Sequence, residues 1–528
     1  MLNNRELTDK LFRFTNLLVA SFFILGFIGI LNHELWQDEM QAWMIARDSS
    51  SIADLLKNLK YEGHTALWYL CLQFINRLTH NPFAMQVFHL ILATINIAIF
   101  VIFSPFNKLQ KALFTFGYFP FYEYNILSRN YNLEILLIFS FCALFFIRRN
   151  SYLLLAVILA LLAHTNIFGL ILTIVLQLTL LLETFIEPEP ISFKRWDFIT
   201  SFFIVVLSII GAILQLRPPS TGVQGNLIPS DTTVRQTIFA QASDLNRLME
   251  LISNVWKAYF PIYHLSSWLE SITLILLAVI FFSLVFKIFI KRSVLRFLCL
   301  TITFLFVSFL ALDRGNNYFG EIFDPLALLG ALVSLAILFW FGLWFVRQPL
   351  ILFLYFSGSL GIFLFTYLIY YSDNLRHTGH FFLLFIICYW LQKNKNNSLS
   401  VLASKYSGLT GWYKNRTISL IFSIHFITGI VAYSNDLIRP FSMSKATSSY
   451  IENTQLNNLP LMGVTDERVS AIPGYLNRKI YYPQSNRWGT FVIWDSQRRN
   501  VTAEEIVEPS DERQLIKRNI YSEVNKIV

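Results

Sequence analysis

The sequence predicts an all-α polytopic membrane protein. It has about thirteen transmembrane helices, interfacial helices in its first outer loop, and a small α/β soluble domain at its C-terminal end. Three observations carry this. Only 14% of the 528 residues are charged and 55% are hydrophobic, where a soluble chain has about a quarter charged. Apolar runs of about 20 residues, enough to cross a ~30 Å hydrocarbon core, recur along the chain. Lys and Arg gather in the short links between those runs, which is how membrane proteins fix their orientation. The net charge of +9 therefore points to topology and not to a nucleic-acid partner.

Taken in order, the first run (15–31) lies too deep behind "MLNNRELTDKLFR" for a cleaved signal, and no small-residue cleavage site follows it. Further spans are expected at 83–103, 110–126, 131–147, 151–164, 166–182, 197–216, 268–286, 294–312, 325–346, 350–371, 379–392 and 417–433. Lys108 and Lys111, Arg148 and Arg149, Lys194 and Arg195, Lys287 with Lys291 and Arg292, Arg347, and Lys393 through Arg416 then all fall on one side. That side is the cytoplasm, with a cytoplasmic N-terminus. The run 64–79, "HTALWYLCLQFINRLT", is too short for a crossing and reads as a re-entrant piece buried by protein. The link 217–267 opens on a Pro/Gly/Ser/Thr-rich connector. Residues 1–433 form the transmembrane domain, and 434–528, where the apolar runs stop, the small extracytoplasmic domain. The cysteines (Cys71, Cys142, Cys299, Cys388) lie far apart in apolar segments, so neither a zinc site nor a disulfide framework is indicated.

Charge is costly at membrane depth, so its clustering is informative. It gathers in the outer links. The first holds Asp38, Glu39, Glu62 and His64; "EYNILSRNYNLE" holds Glu123, Arg129, Tyr131 and Glu134; "YSDNLRHTGHFF" holds Asp373, Arg376, His377 and His380. His164 and the Asp313–Arg314 pair open two more turns. All fit one membrane-level cavity opening outward. In "WQDEMQAWMIARD", Met40, Trp43, Met44 and Arg47 recur at helical spacing, predicting a short helix lying on the membrane. Asp38 is its expected N-cap, with Glu39 near the dipole's positive end. Capping explains the acid pair about as well as chemistry does. A second helix is capped by Ser51, and Glu62-Gly63-His64 stands at its exit. Arg129 has a lesser reading as a helix-end anchor at the headgroups, and His64 reads equally as a satisfied interfacial histidine. The "FGYFPFYEY" aromatics read as packing and interfacial belt, and His425 as a buried residue paired to a neighbouring helix.

Here the sequence resembles a family. A transmembrane helix followed at once by an Asp-Glu pair on the first outer loop, Asp38-Glu39, is similar to the GT-C glycosyltransferases. These are multi-spanning enzymes that use lipid-phosphate-linked sugars, such as the lipid A aminoarabinose transferases and the protein O-mannosyltransferases. "YEGHTALWYL" is similar to the family's acidic residue and His-Pro pair opening the next helix, with Thr65-Ala66 in place of the prolines. "LSRNYNLEILLIF" resembles its Arg-x-Tyr, and "LRHTGHFFLLF" its late Arg-Tyr or Arg-His entry. The match covers the first 180 residues best and the tail hardly at all.

The resemblance implies transfer of a sugar from a polyprenyl-phosphate donor to a hydroxyl of a lipid, glycan or protein acceptor. The site would lie on the periplasmic or extracellular side of a bacterial inner membrane. Such a reaction needs a base for the acceptor proton and positive charge at the leaving phosphate. Asp38 matches the family's catalytic base, with Glu39 beside it. Glu62 and His64 match positions that bind a divalent metal ion or the donor phosphate. Arg129, Tyr131, Arg376, His377 and His380 match the donor-phosphate side. A single attacking-side acid implies inversion at the anomeric carbon. A flippase, polymerase or ligase for lipid-linked glycans would handle the same donors but relies on arginines in a large outer loop. A secondary transporter would show two matching halves with polar residues at mid-span, and this chain gathers its charges at one face.

Overall fold

The structure, a computed structural model, describes residues 4–148, 152–186, 195–217, 245–262, 267–289, 301, 325–368, 374–396, 407–454, 456–495, 498, 499 and 501. The expected span 294–312, the Asp313–Arg314 turn, Asp373 and the final segment from 502 lie outside the described residues. The chain is a helical membrane protein: among the described residues, seven helices are long and apolar enough to cross a membrane.

The first ten helices are α1 (Asn4–Asn32), α2 (Gln37–Asp48), α3 (Ile52–Asn58), α4 (Leu67–Asn76), α5 (Phe83–Phe103), α6 (Lys108–Thr115), α7 (Tyr131–Leu144), α8 (Tyr152–Ala163), α9 (Ile167–Ile186) and α10 (Arg195–Leu216). Then come α11 (Leu245–Tyr259), α12 (Ser267–Phe289), α13 (Pro325–Phe345), α14 (Pro349–Leu368), α15 (Leu375–Asn396), α16 (Ser407–Ile438) and α17 (Ser444–Asn453). The main core is an aromatic-rich cluster centred on α5, α7 and α15, with Phe100, Phe114, Phe139, Phe382 and Trp390 fully buried. Helices whose outer faces carry exposed Leu, Ile and Phe surround it, as lipid-facing helices do.

Three expectations change. The segment 110–126 is not one helix: α6 ends at Thr115, and a π-helical stretch Tyr118–Glu123 follows. Pro120 removes a backbone donor there and Gly117 precedes the break. Helix α16 crosses the break through Gly429, where a Cβ would come within 2.6 Å of the Phe116 carbonyl. The "FGYFPFYEY" aromatics are therefore core and not belt: Tyr118, Phe119, Phe121, Tyr122 and Tyr124 are all buried.

Second, α2 is no surface helix. Every residue from Glu39 to Ala46 is buried, because α4 packs on one side and the tail on the other. Third, Asp38 is not its N-cap. The cap position is Trp36, and Glu39, third in the helix, reaches back to the Trp36 N–H at 3.2 Å. Ser51 does cap α3, accepting from the Asp54 N–H. Helix α4 is ten residues long, as the short 64–79 run anticipated.

The tail is mostly helical turns. Its only sheet among the described residues is two-stranded, β1 (Ile480–Tyr482) against β2 (Arg487–Gly489), antiparallel. Of the two β-like stretches, "RKIYYP" forms β1, whereas "GTFVIWD" contributes only its first residue, Gly489. Helix α16 runs unbroken through 434 to Ile438, so no break marks the boundary drawn at that residue.

Candidate functional site

The charged links do converge. Asp38, in the first turn of α2, is ion-paired through Oδ2 to Arg129 Nη1, and the same oxygen lies 3.5 Å from Arg376 Nη1. Arg129 sits in the link before α7 and Arg376 in the first turn of α15. Three segments more than ninety residues apart in sequence are thus joined by one carboxylate. Both arginines are nearly buried, while 37% of the Asp38 side chain is open.

Other groups hold the arginines in place. The Glu123 carboxylate faces Arg376 Nε at 3.5 Å and accepts from the Tyr118 hydroxyl at 2.8 Å. The Arg376 guanidinium stacks on Trp36 at 5.1 Å. His89, on α5, places its two ring nitrogens 3.0 Å from the carbonyls of Asn125 and Arg129. It thereby pins the link that carries Arg129.

A cavity of about 350 Å³ opens beside Asp38. Its floor includes Asp38, Gln41, Glu62, His64 and Arg129, and its roof Glu467, Ser470 and Trp494 from the tail. Gly63, at φ 68°, lets the chain turn between Glu62 and His64 so that both face this space; a residue with a Cβ resists that conformation. Gln41, one turn beyond Asp38, ties floor to roof. Its amide donates to Glu62 Oε1 at 2.9 Å and to the Val492 carbonyl at 2.7 Å, and accepts from the Val492 N–H at 2.9 Å. Trp494, on the roof, lies close enough to Glu62 to favour its charged form.

The two cavity carboxyls are held in opposite states. Burial alone would raise Asp38, but the Arg129 and Arg376 guanidiniums more than offset it and hold the carboxyl below its usual range. Burial pushes Glu62 up to about 7, and the negative charge of Asp38 adds to this against the Gln41 hydrogen bond. Burial and the Arg129 charge bring His64 down to about 4, so its imidazole is neutral. His64 Nδ1 is buried and has no hydrogen-bond partner among the described residues.

Glu39 stands behind the cavity. It is fully buried, accepts from the Ser128 N–H at 2.5 Å and faces His33 Nε2 at 3.0 Å. His33 Nδ1 in turn lies 2.7 Å from Asp436 on α16. Burial would lower His33, but Glu39 and Asp436 more than offset it and raise it to about 10. This acid–imidazolium–acid chain fastens the end of α1, the start of α2 and the end of α16 together. The expected catalytic pair is thus one acid facing the cavity and one acid positioning it.

Tyr131, His377 and His380 do not line the cavity. The Tyr131 hydroxyl meets His377 Nε2 at 2.8 Å, and His380 Nε2 lies 3.1 Å from Glu134, which also accepts from Asn166 at 2.7 Å. His380 stacks on Phe168 at 4.0 Å. These residues form a buried polar knot between α7, α9 and α15, adjoining the site. His164 lies elsewhere, 3.3 Å from Gln215, and His425 is buried and stacked on Phe382.

For a metal, Glu62 and His64 face the same space. Yet no group of three His, Cys, Asp or Glu side chains is placed to hold an ion among the described residues. The third nearby acid, Asp38, is committed to two guanidiniums. The donor set does not fit a metal held by protein alone.

Sequence reasoning missed Gln41, His33, His89, Asp436 and the whole roof. Gln41 carried a signal, since it lies three residues past Asp38 and so on the same helix face. The tail residues carried none. No family model matches the chain, and no curated protein or solved structure matches it either.

Proposed function

We propose that the protein is a membrane glycosyltransferase of GT-C type, moving a sugar from a polyprenyl-phosphate donor to a hydroxyl acceptor at the extracytoplasmic face. The reading includes about thirteen crossings, a cytoplasmic N-terminus, and a tail that closes over the site from outside. The observation that carries it is the Arg129–Asp38–Arg376 cluster at the edge of a polar cavity. It puts a carboxylate and two guanidiniums from separate links at one point.

Two nearly buried guanidiniums suit a phosphate diester, which accepts charge-assisted hydrogen bonds from both. In the resting site Asp38 occupies them. A donor phosphate competes for the same hydrogen bonds, and Asp38, relieved of its cations, becomes a stronger base. The acceptor oxygen then bonds to the anomeric carbon from the face opposite the phosphate. The bond from that carbon to the phosphate oxygen breaks, and the hydroxyl proton passes to Asp38. The polyprenyl phosphate leaves with its negative charge on Arg129 and Arg376. Attack from that face inverts the configuration. Glu62 and His64, both neutral for much of the time near pH 7, border the acceptor side and donate or accept hydrogen bonds to hydroxyls.

The test is direct. Purified protein reconstituted with a panel of polyprenyl-phosphate sugars should release polyprenyl phosphate in the presence of an acceptor extract. A strain lacking the gene should lose one glycan mass from its surface glycans or glycoproteins. An unchanged glycan profile together with no release from any donor would remove the assignment.

A further inference from the structure

We propose that the end of the bundle opposite the cavity holds a binding site for the phosphate headgroup of an anionic phospholipid, formed by Arg347, Lys393 and Lys414. From Pro325 to Ser372 and from Asn374 to Asn435 the sequence contains no Asp or Glu. Cations at this end of α13 to α16 therefore have no carboxylate near them on their own elements, Asp436 lying in the last turn of α16 at its other end.

The fold draws three of them together. Arg347 lies in the turn between α13 and α14, Lys393 in the last turn of α15, and Lys414 near the start of α16. Lys393 is seventeen residues past Arg376 on one helix, which at 1.5 Å per residue puts it roughly 25 Å from the cavity. Lys414 Nζ donates to the Trp344 carbonyl at 3.2 Å and lies 5.2 Å above the Trp344 ring. That position is held firmly, because Gln392 donates to the same carbonyl at 2.8 Å. The half-buried ammonium sits in the positive field of both Lys393 and Arg347. It has three N–H donors and one hydrogen-bond partner among the described residues. Lys393 itself lies over Tyr389 at 5.7 Å.

Among the described residues none of the three cations is ion-paired, since Glu183, the acid of α9 at this end, is taken by Arg148, and like charges so placed are held apart by solvent or by an anion. A phosphate diester supplies that charge, with oxygens for the ammonium groups and the guanidinium. The surroundings select a lipid over a free ion. Leu343 and Val346, just before Arg347, and Trp412 and Tyr413, just before Lys414, stand exposed, with the Arg416 guanidinium 3.7 Å over the Trp412 ring, which offers apolar surface for an acyl chain and aromatic side chains at headgroup depth. Basic pockets between transmembrane helices on the cytoplasmic side are the general setting for anionic headgroups. This inference does not depend on the proposed transfer reaction.

The experiment titrates the delipidated full-length protein in neutral detergent with phosphatidylglycerol or phosphatidylcholine and counts bound lipids by native mass spectrometry. Phosphatidylglycerol should bind the parent protein tightly and in preference. The double variant Lys393→Gln/Lys414→Gln should bind it roughly 30-fold more weakly, from the loss of two headgroup cations. Lys414→Arg should keep the preference. The lipid-free double variant should still melt cooperatively, only slightly below the parent, because Lys393 is exposed and Lys414 loses one hydrogen bond and one ring contact to Trp344. Equal binding of the two lipids by the parent, or parent-like phosphatidylglycerol binding by the double variant, overturns the site. So does displacement of the lipid by inorganic phosphate at equal concentration, which marks a free-anion site instead.

Discussion

Replacing Asp38 with Asn separates the chemical role of this side chain from its structural one. Capping cannot confuse the result, because the cap position is Trp36. What changes is charge. Asn keeps the size of the side chain but leaves Arg129 and Arg376, exposed by 12% and 15%, without the carboxylate between them. Breaking a buried ion pair costs about 3–5 kcal/mol. Since 37% of the Asp38 side chain is open, solvent shares the load, and a loss of about 2 kcal/mol is the working figure. Transfer should fall further, by about two to four orders of magnitude, the contribution of a positioned base. The double variant Asp38→Asn/Arg376→Gln, compared with Arg376→Gln alone, distinguishes the two effects. Removing one of the stranded cations should restore part of the melting temperature without restoring transfer. Transfer from a polyprenyl-phosphate donor in proteoliposomes, with melting measured on the same preparations, supplies both readouts. Parent-like transfer by folded Asp38→Asn would refute Asp38 as base. If the double variant regained activity along with stability, the single variant's defect would be one of folding alone.

Other substitutions probe the supports. Arg129→Ala and Arg376→Ala should each raise the donor concentration needed for half-maximal transfer, by about 1.5–3 kcal/mol of lost phosphate contact; unchanged donor saturation in both would make them headgroup anchors. Glu39→Gln removes the charge facing His33 and should destabilise by about 3 kcal/mol, read by thermal denaturation, and an unchanged midpoint would show that the buried chain contributes little. His33 is raised from 6.5 to about 10 in the fold, so its stabilisation is complete below pH 6.5 and lost as pH passes through about 10. Stability should decline across that window and the slope should flatten in His33→Gln; equal slopes would exclude His33 as the titrating group. Gln41→Ala cuts the hydrogen bonds between floor and roof, and limited proteolysis should then cleave near Val492 faster than in the parent, whereas parent-like resistance would mean that other contacts hold the roof.

Local rules in the sequence reached as far as local physics reaches. Seven of the long apolar runs, the Ser51 cap and the brevity of α4 follow from spacing and stand in the structure among the described residues. The gathering of Asp38, Arg129 and Arg376 was legible one step further out, because charge segregated to one face of a membrane bundle has few places to go. The break after Thr115 was also written in the chain, in Gly117 and Pro120, but the surrounding hydrophobicity hid it. What could not be read is what depends on distant partners. His33 meets Asp436 across 403 positions, and Gln41 meets Val492 across 451. The periodicity of α2 gave a helix with one apolar face, and no property of residues 36–48 reveals that the tail covers its polar face. The N-cap was misplaced for the same kind of reason. Glu39 reaches back to Trp36 while the N–H of Ser128, 89 positions away, and the imidazole of His33, six positions before it, hold its carboxylate there.

The contrast between Asp38 and Glu62 carries the reasoning about chemistry further than either residue does alone. Both are carboxyls on the wall of one cavity, yet one is held ionised by two guanidiniums and the other is pushed by burial to about 7. A base locked to cations is weak, so the resting site is poorly disposed to deprotonate an acceptor. That changes only when another anion takes the arginines. On the proposed reading the donor phosphate is that anion, so donor binding itself would switch on the base. Glu62, poised between its two protonation states, would then carry a proton near neutral pH and hydrogen-bond an acceptor hydroxyl without adding a second negative charge beside the phosphate. Ordered binding follows as a kinetic consequence: donor first, acceptor second. Product inhibition by polyprenyl phosphate should therefore be competitive against the donor and not against the acceptor. The opposite pattern would mean that Asp38 is already free before the donor arrives, contrary to its ion pair with Arg129.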